Sequence, residues 1–292
     1  MFWLLLALVV APSTPSTDHQ RGVDLYKQQK YGEAISALEQ AAKAEDPKSV
    51  EYKESALLIG QSYFMLSEAP KAIPWLERVP SVNEANYMLG YAYIVANQVD
   101  QSEAAFARLF DVKPGTAESH LLTAQMMIKK EYEPLAMEQI RKALALDPKL
   151  PEAHFLLGEI HIYSGQVEDG IADMKQELAI NPNFAMAWYR LGDAYTRKED
   201  WDSAIPNLQR AAWLNQDYSG PYILLGKCYY KQGNLSNAEG ILRRGLSIDP
   251  NNQSGSYLLA KILIAEGKDA EGKAILEKMK VTQQAPNQVS RP

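Results

Sequence analysis

The sequence predicts an all-α fold, a stack of about eight helix-turn-helix units, and three combs of recurring residues predict it. Small residues stand 34 positions apart at Gly90, Ala124, Gly158, Gly192, Gly226 and Ala260, and Gly60 and Gly22 extend the series off the strict interval. Twelve positions after each comes a second small residue: Ala34, Ala72, Ser102, Ala136, Gly170, Ala204, Ala238 and Gly272. Pro114, Pro148, Pro182 and Pro250 lie 24 positions after the first comb; Gln216 breaks this series and Pro47 is displaced by one.

Each unit reads as two apolar-periodic segments of about a dozen residues, the length of an ordinary short helix. Asn97, Gly165, Gly233 and Gly267 fall between the two small positions and mark the turn. The proline stops the second helix, because it has no N–H to donate and disfavours a helical residue before it. Ser236 with Glu239, and Asp100 with Glu103, have the spacing of a capping box opening the second helix. A glycine such as Gly226 costs roughly 1 kcal/mol in a helix interior. One small residue per helix lets paired backbones approach closely, and that packing offsets the cost. Two units depart from the interval. Gly60 to Gly90 is 30 residues, so "ERVPSVNEANY" predicts a truncated second helix; Gly22 to Gly60 is 38, so "AEDPKSVEYK" predicts a longer connection.

The unit Ser219–Asn252 has Tyr222, Leu225-Gly226, Tyr229, Gly233, Ala238, Gly245-Leu246 and Asp249-Pro250; the one before it has Trp188, Leu191-Gly192, Tyr195 and Ala204. This pattern, repeated from about residue 17 to 280, resembles the tetratricopeptide repeat family. The resemblance implies a right-handed α-solenoid in which each unit touches mainly its neighbours. It also implies a concave wall, lined by the first helix of each unit, that receives an extended peptide or a partner's helix.

Three segments follow: a leader over 1–17, the array over 18–280 and a loose polar tail over 281–292. The leader opens "MFWLLLALVVAPSTPST", with an apolar run over residues 2–11. Spanning a bilayer takes about 20 apolar residues, so this run suits the core of a secretory signal peptide, cut between Ala11 and Thr17. No Lys or Arg precedes it. The expected location is therefore exported, periplasmic or secreted; a leader that is not a signal would make the chain a cytoplasmic scaffold.

Candidate chemistry is sparse. The net charge of −6 argues against general nucleic-acid binding. Cys228 is the one cysteine, which excludes an internal disulfide, and its place two residues after Gly226 predicts burial. His154 and His161 are seven apart and lack the i, i+4 spacing of a zinc-protease helix. With His120 they occupy repeat positions held elsewhere by Trp188, Tyr195, Tyr222 and Tyr229, and read as packing substitutes. The acid pairs Glu152/Glu159 and Asp169/Asp173 read as solvated helix faces. No catalytic residue, metal ligand or cofactor is expected.

Helical geometry places residues three before, and one, four and five after, each small position on the wall. The predicted groove is Tyr87, Tyr91, Ile94, Gln125, Ile128, Lys129, Phe155, Glu159, Ile162, Tyr163, Tyr189, Asp193, Arg197, Lys227, Tyr230, Lys231, Tyr257 and Lys261. Val95, Leu121, Thr196, Ile223, Ile264 and Ala265 share its positions. Arg197, Lys227, Lys231 and Lys261 make its C-terminal part basic and interleave with tyrosines, which suits an acidic, partly apolar partner. Some family members clamp a chaperone's terminal carboxylate with Lys and Asn; no Asn directly follows a small position here, so that activity is not expected. The reading is a noncatalytic scaffold binding a peptide or partner segment, with an accessory subunit of an enzyme complex as the alternative.

Overall fold

The computed structural model describes residues 17–284, and among them are sixteen α-helices and no strand. They divide into two compact units between Tyr132 and Glu133. The first unit holds α1 (Thr17–Lys27), α2 (Tyr31–Ala44), α3 (Val50–Met65), α4 (Ala69–Leu76), α5 (Asn83–Val95), α6 (Val99–Leu109) and α7 (Ala117–Ile128). The second holds α8 (Glu133–Leu146), α9 (Ala153–Tyr163), α10 (Val167–Ile180), α11 (Ala185–Arg197) and α12 (Trp201–Leu214), then α13 (Ser219–Lys231), α14 (Leu235–Ile248), α15 (Gln253–Ala265) and α16 (Asp269–Gln284). The leader expected over 1–17 lies outside the described residues except for Thr17, which opens α1.

Within each unit, helices pack pairwise in chain order, and each first helix also touches the next first helix: α1 with α3, α3 with α5, α9 with α11, α11 with α13, α13 with α15. Close approach at the small positions holds the pairs together. Gly22, Gly60, Gly90, Gly158, Gly192 and Gly226 each face the side chain sixteen residues later: Leu38, Leu76, Phe106, Met174, Leu208 and Leu242. All six of those side chains are fully buried. A Cβ added at Gly192 would lie 2.6 Å from Leu208 Cδ2, well inside van der Waals contact.

The turns share one conformation. The seventh residue after each small position is left-handed in all eight repeats: Gln29, Ser67, Asn97, Glu131, Gly165, Glu199, Gly233 and Gly267, with φ between 57 and 81°. Such a residue ends a helix by turning its N–H back onto an orphan carbonyl. Gly233 N–H, for example, donates to the Tyr230 carbonyl at 3.0 Å. Glycine takes this φ freely, whereas a side chain costs about 1–2 kcal/mol there.

The structure departs from the sequence reading in three places. The two expected capping boxes do not form: α14 is capped by Asn234, whose Oδ1 accepts from Asn237 N–H, and Ser236 lies inside the helix. Gln98 is the N-cap of α6, and Glu103 instead accepts from Gly115 N–H at 2.9 Å. The extra residues before Gly60 lengthen α3 to 16 residues, rather than only the connection. The truncated helix is there, as α4 with 8 residues. At the other end α16 continues to Gln284, past residue 280, where the tail was expected to begin; residues 285–292 lie outside the described residues.

Candidate partner interface

The first helices of the second unit, α9, α11, α13 and α15, form a row, and their shared face carries most of the predicted groove. On α9 and α11 that face is a connected polar and aromatic cluster. Arg190 Nε donates to Glu159 Oε1 at 2.7 Å across the two helices, with both side chains mostly buried. The same guanidinium lies 5.5 Å from the Tyr163 ring centroid and 5.3 Å from that of Tyr189. Arg197 also lies over Tyr163, at 5.7 Å, and its Nε reaches Asp193 Oδ2 at 3.1 Å. Tyr163 has two guanidiniums within 5.7 Å of its ring centroid yet stays 61% exposed. Tyr189 packs edge-on against Tyr218 at 5.1 Å, and burial pushes its phenol pKa well above the usual tyrosine range. Burial works against the charged form of Arg190, but Glu159 outweighs it and raises the guanidinium pKa.

Farther along, the character changes. Neither α13 nor α15 contains an aspartate or glutamate, and together they present Lys227, Lys231 and Lys261 to solvent. Lys261 Nζ sits 5.5 Å from the Tyr230 ring centroid. Among the described residues none of the three forms an ion pair. Tyr257 is 53% exposed beside them.

Other predicted residues are not available to a partner. Tyr91, Ile94, Phe155 and Ile162 were expected to face inward on the wall and are instead core residues, as are Leu121 and Thr196. Ile162, four after Gly158, turns onto the second small residue of its own pair, Gly170, and shares a core with Met174 and Leu191. Phe155 is covered by Phe184, ring centroids 4.8 Å apart. In the first unit, Tyr91 donates its hydroxyl to the Met126 carbonyl at 3.0 Å, joining α5 to α7. Tyr87 stacks edge-on over Tyr91 at 4.9 Å and is partly exposed; Gln125 and Ile128 are half-buried and Lys129 is exposed. These residues belong to the first unit, and Phe155 through Lys261 to the second.

Sequence reasoning passed over Arg190, which joins more wall residues than any side chain on the predicted set. It stands two residues before Gly192, outside the four positions read as the wall. Sequence reasoning also read Asp173 and Glu159 as solvated. Asp173 is mostly buried, receives His161 Nδ1 at 2.6 Å and has His154 Nδ1 at 3.7 Å; burial raises its pKa against the lowering effect of His161. Among the described residues, no group of three or more His, Cys, Asp or Glu side chains is arranged to hold a metal ion.

The tetratricopeptide repeat model matches residues 19–85, 87–151 and 155–220, and a second model of the same description matches 196–254. The chain belongs to the tetratricopeptide repeat family. Proteins of this family bind protein partners and are generally noncatalytic scaffolds. No curated protein matches the sequence. Among solved structures, one titled as the crystal structure of MamA is similar at 26% identity and a TM-score of 0.52, covering 55% of this chain and 96% of MamA. MamA 41-end from Desulfovibrio magneticus RS-1 is similar at 16% identity and a TM-score of 0.55, covering 59% and 97%. The structure titled as the functional characterization of Pseudomonas aeruginosa pilF gives 16% and 0.56, covering 70% and 92%. The fold of this tetratricopeptide repeat chain is therefore an all-α solenoid of stacked helix pairs. Among its described residues no helix is long and apolar enough to cross a membrane.

Proposed function

We propose that this chain is a noncatalytic scaffold that holds a peptide or partner segment against the first-helix faces of its repeats. One observation carries the reading. Side chains that a packed stack has no need to expose recur on that face, with Tyr163, Arg197, Lys227, Lys231, Tyr257 and Lys261 all solvent-facing in the second unit. Tyrosine offers contact area at low entropic cost and cations steer an oppositely charged partner into place. The partner is acidic, and the chain works in the cell envelope or outside the cell after loss of its apolar leader.

Two measurements test this. Replacing Tyr163 and Tyr257 together by alanine removes captured partners, while Trp213→Ala, on the second helix α12, leaves them in place. Mass measurement of the native N-terminus finds a cut between residues 11 and 17; an intact Met1 in a cytoplasmic fraction contradicts export.

A further inference from the structure

The basic part of the wall and the open cleft beside it form one surface. Lys227 and Lys231 are four residues apart on α13, hence stacked one turn apart, and Lys261 occupies on α15 the repeat position of Lys227. The cations of α11 are already engaged: Arg197 with Asp193, Arg190 with Glu159. Those of α13 and α15 have no carboxylate on their own helices. The wall is thus divided into a self-neutralised part and a part whose positive charge is unanswered. Tyr257 borders the second part and also lines a cleft of ≈ 390 Å³ with Leu276, Met279, Lys273, and the paired Glu277 and Lys280. Met279 in turn lines a second cleft of ≈ 350 Å³ with Leu246 and Ile275. A cleft with Tyr257, Leu276 and Met279 as its apolar lining therefore opens at the end of a lysine row.

We propose that α13, α15 and the adjoining cleft on α16 dock an acidic partner segment whose carboxylates meet Lys227, Lys231 and Lys261 and whose apolar side chain enters beside Tyr257. This rests on the reading of the first-helix face as the partner surface and adds where on it the partner sits and what it must carry. A net charge of −6 on the whole chain favours a protein ligand over nucleic acid, which prefers a basic footprint.

Panning a random twelve-residue displayed-peptide library against the full chain tests it. Enriched peptides are synthesised with a fluorophore and titrated by anisotropy, with hydrogen exchange mapping where each binds. The expected peptides pair at least two Asp or Glu with a Leu, Phe or Met. Lys227→Glu with Lys231→Glu weakens them at least tenfold, Lys227→Gln with Lys231→Gln less, Leu276→Asp also weakens them, and Arg210→Glu on α12 does not. Peptides that protect first helices but lack acidic bias, or ignore the lysine changes, overturn this proposal and leave the scaffold reading standing. Peptides that protect only second helices overturn both. A thymidine oligonucleotide that binds more tightly than the peptides and displaces them assigns the patch to nucleic acid and overturns the proposal.

Discussion

Gly226 and Leu242 share one space: the Leu242 side chain fills the position that a Cβ on Gly226 would take. The pair joins α13 to α14, and the same sixteen-residue relationship recurs in five other repeats. Gly226→Ala gains about 1 kcal/mol of helix propensity but forces a fully buried leucine to move. Overpacking costs about 1–3 kcal/mol, so the net effect is destabilising. Leu242→Ala costs about 2–5 kcal/mol. The double variant is less damaged than the sum of the two, because truncating Leu242 makes room for the new methyl. Urea unfolding of the four proteins, followed by circular dichroism, gives the coupling.

Glu199 is left-handed, with φ 58°, at the turn position that Gly165, Gly233 and Gly267 fill elsewhere. It is exposed, so its side chain gives little in return for the strain. Glu199→Gly is expected to stabilise by about 0.5–1 kcal/mol, the left-handed penalty less the glycine's extra entropy. Gly233→Glu should do the reverse. Denaturant midpoints check both signs.

Glu177 supplies a cap that its neighbour lacks. It is fully buried on α10, and its carboxylate accepts from Glu152 N–H at 3.0 Å and Phe155 N–H at 3.4 Å at the start of α9, which has no side-chain cap of its own. Glu177→Ala leaves those donors unsatisfied and costs about 2–3 kcal/mol. Glu177→Gln keeps an acceptor oxygen and costs less. Hydrogen exchange at residues 152–156 rises more in the alanine variant.

The fold was legible because stacking imposes contacts at fixed intervals, and small residues are the form those contacts take in a sequence. Gly158, Gly192 and Gly226 stand out for that reason. Their partners Met174, Leu208 and Leu242 did not, since a large apolar residue in a helix looks alike whichever helix it touches. The angular positions of single helices predict the wall, and Lys227, Lys231 and Tyr257 among them are exposed. The same positions misplace Ile162, because that side packs on Gly170 of its own partner helix and on the core residues of the next first helix. Glu177 and Arg190 act across helices, 22 to 31 residues from their partners, at spacings that no single-helix pattern encodes. Glu239 takes no part in a capping box and instead pairs with Arg243 on its own helix and with Lys268 just before α16.

That last network gives a pH dependence. Lys268 Nζ at 2.6 Å, then Arg243 Nε at 2.8 Å, hold the Glu239 carboxyl down to about 2. A depressed carboxylate pKa contributes stability that is present above the unfolded value of about 4.3 and is lost as pH falls from there towards 2. Both cations are nearly half exposed, so solvent screening limits the contribution to about 1 kcal/mol or less. Glu239→Gln should flatten the loss between pH 4.5 and about 2, read as the difference in urea midpoint between the two proteins across that window.

The claim that the first-helix face of the second unit receives the partner is tested most directly by site-specific photocrosslinking in the native host. A photoreactive amino acid is placed in turn at Tyr163, Tyr257 and Trp213, which is 64% exposed on α12. The expected result is a shared partner adduct from Tyr163 and Tyr257 and none from Trp213. An adduct from Trp213 with none from either tyrosine would contradict it.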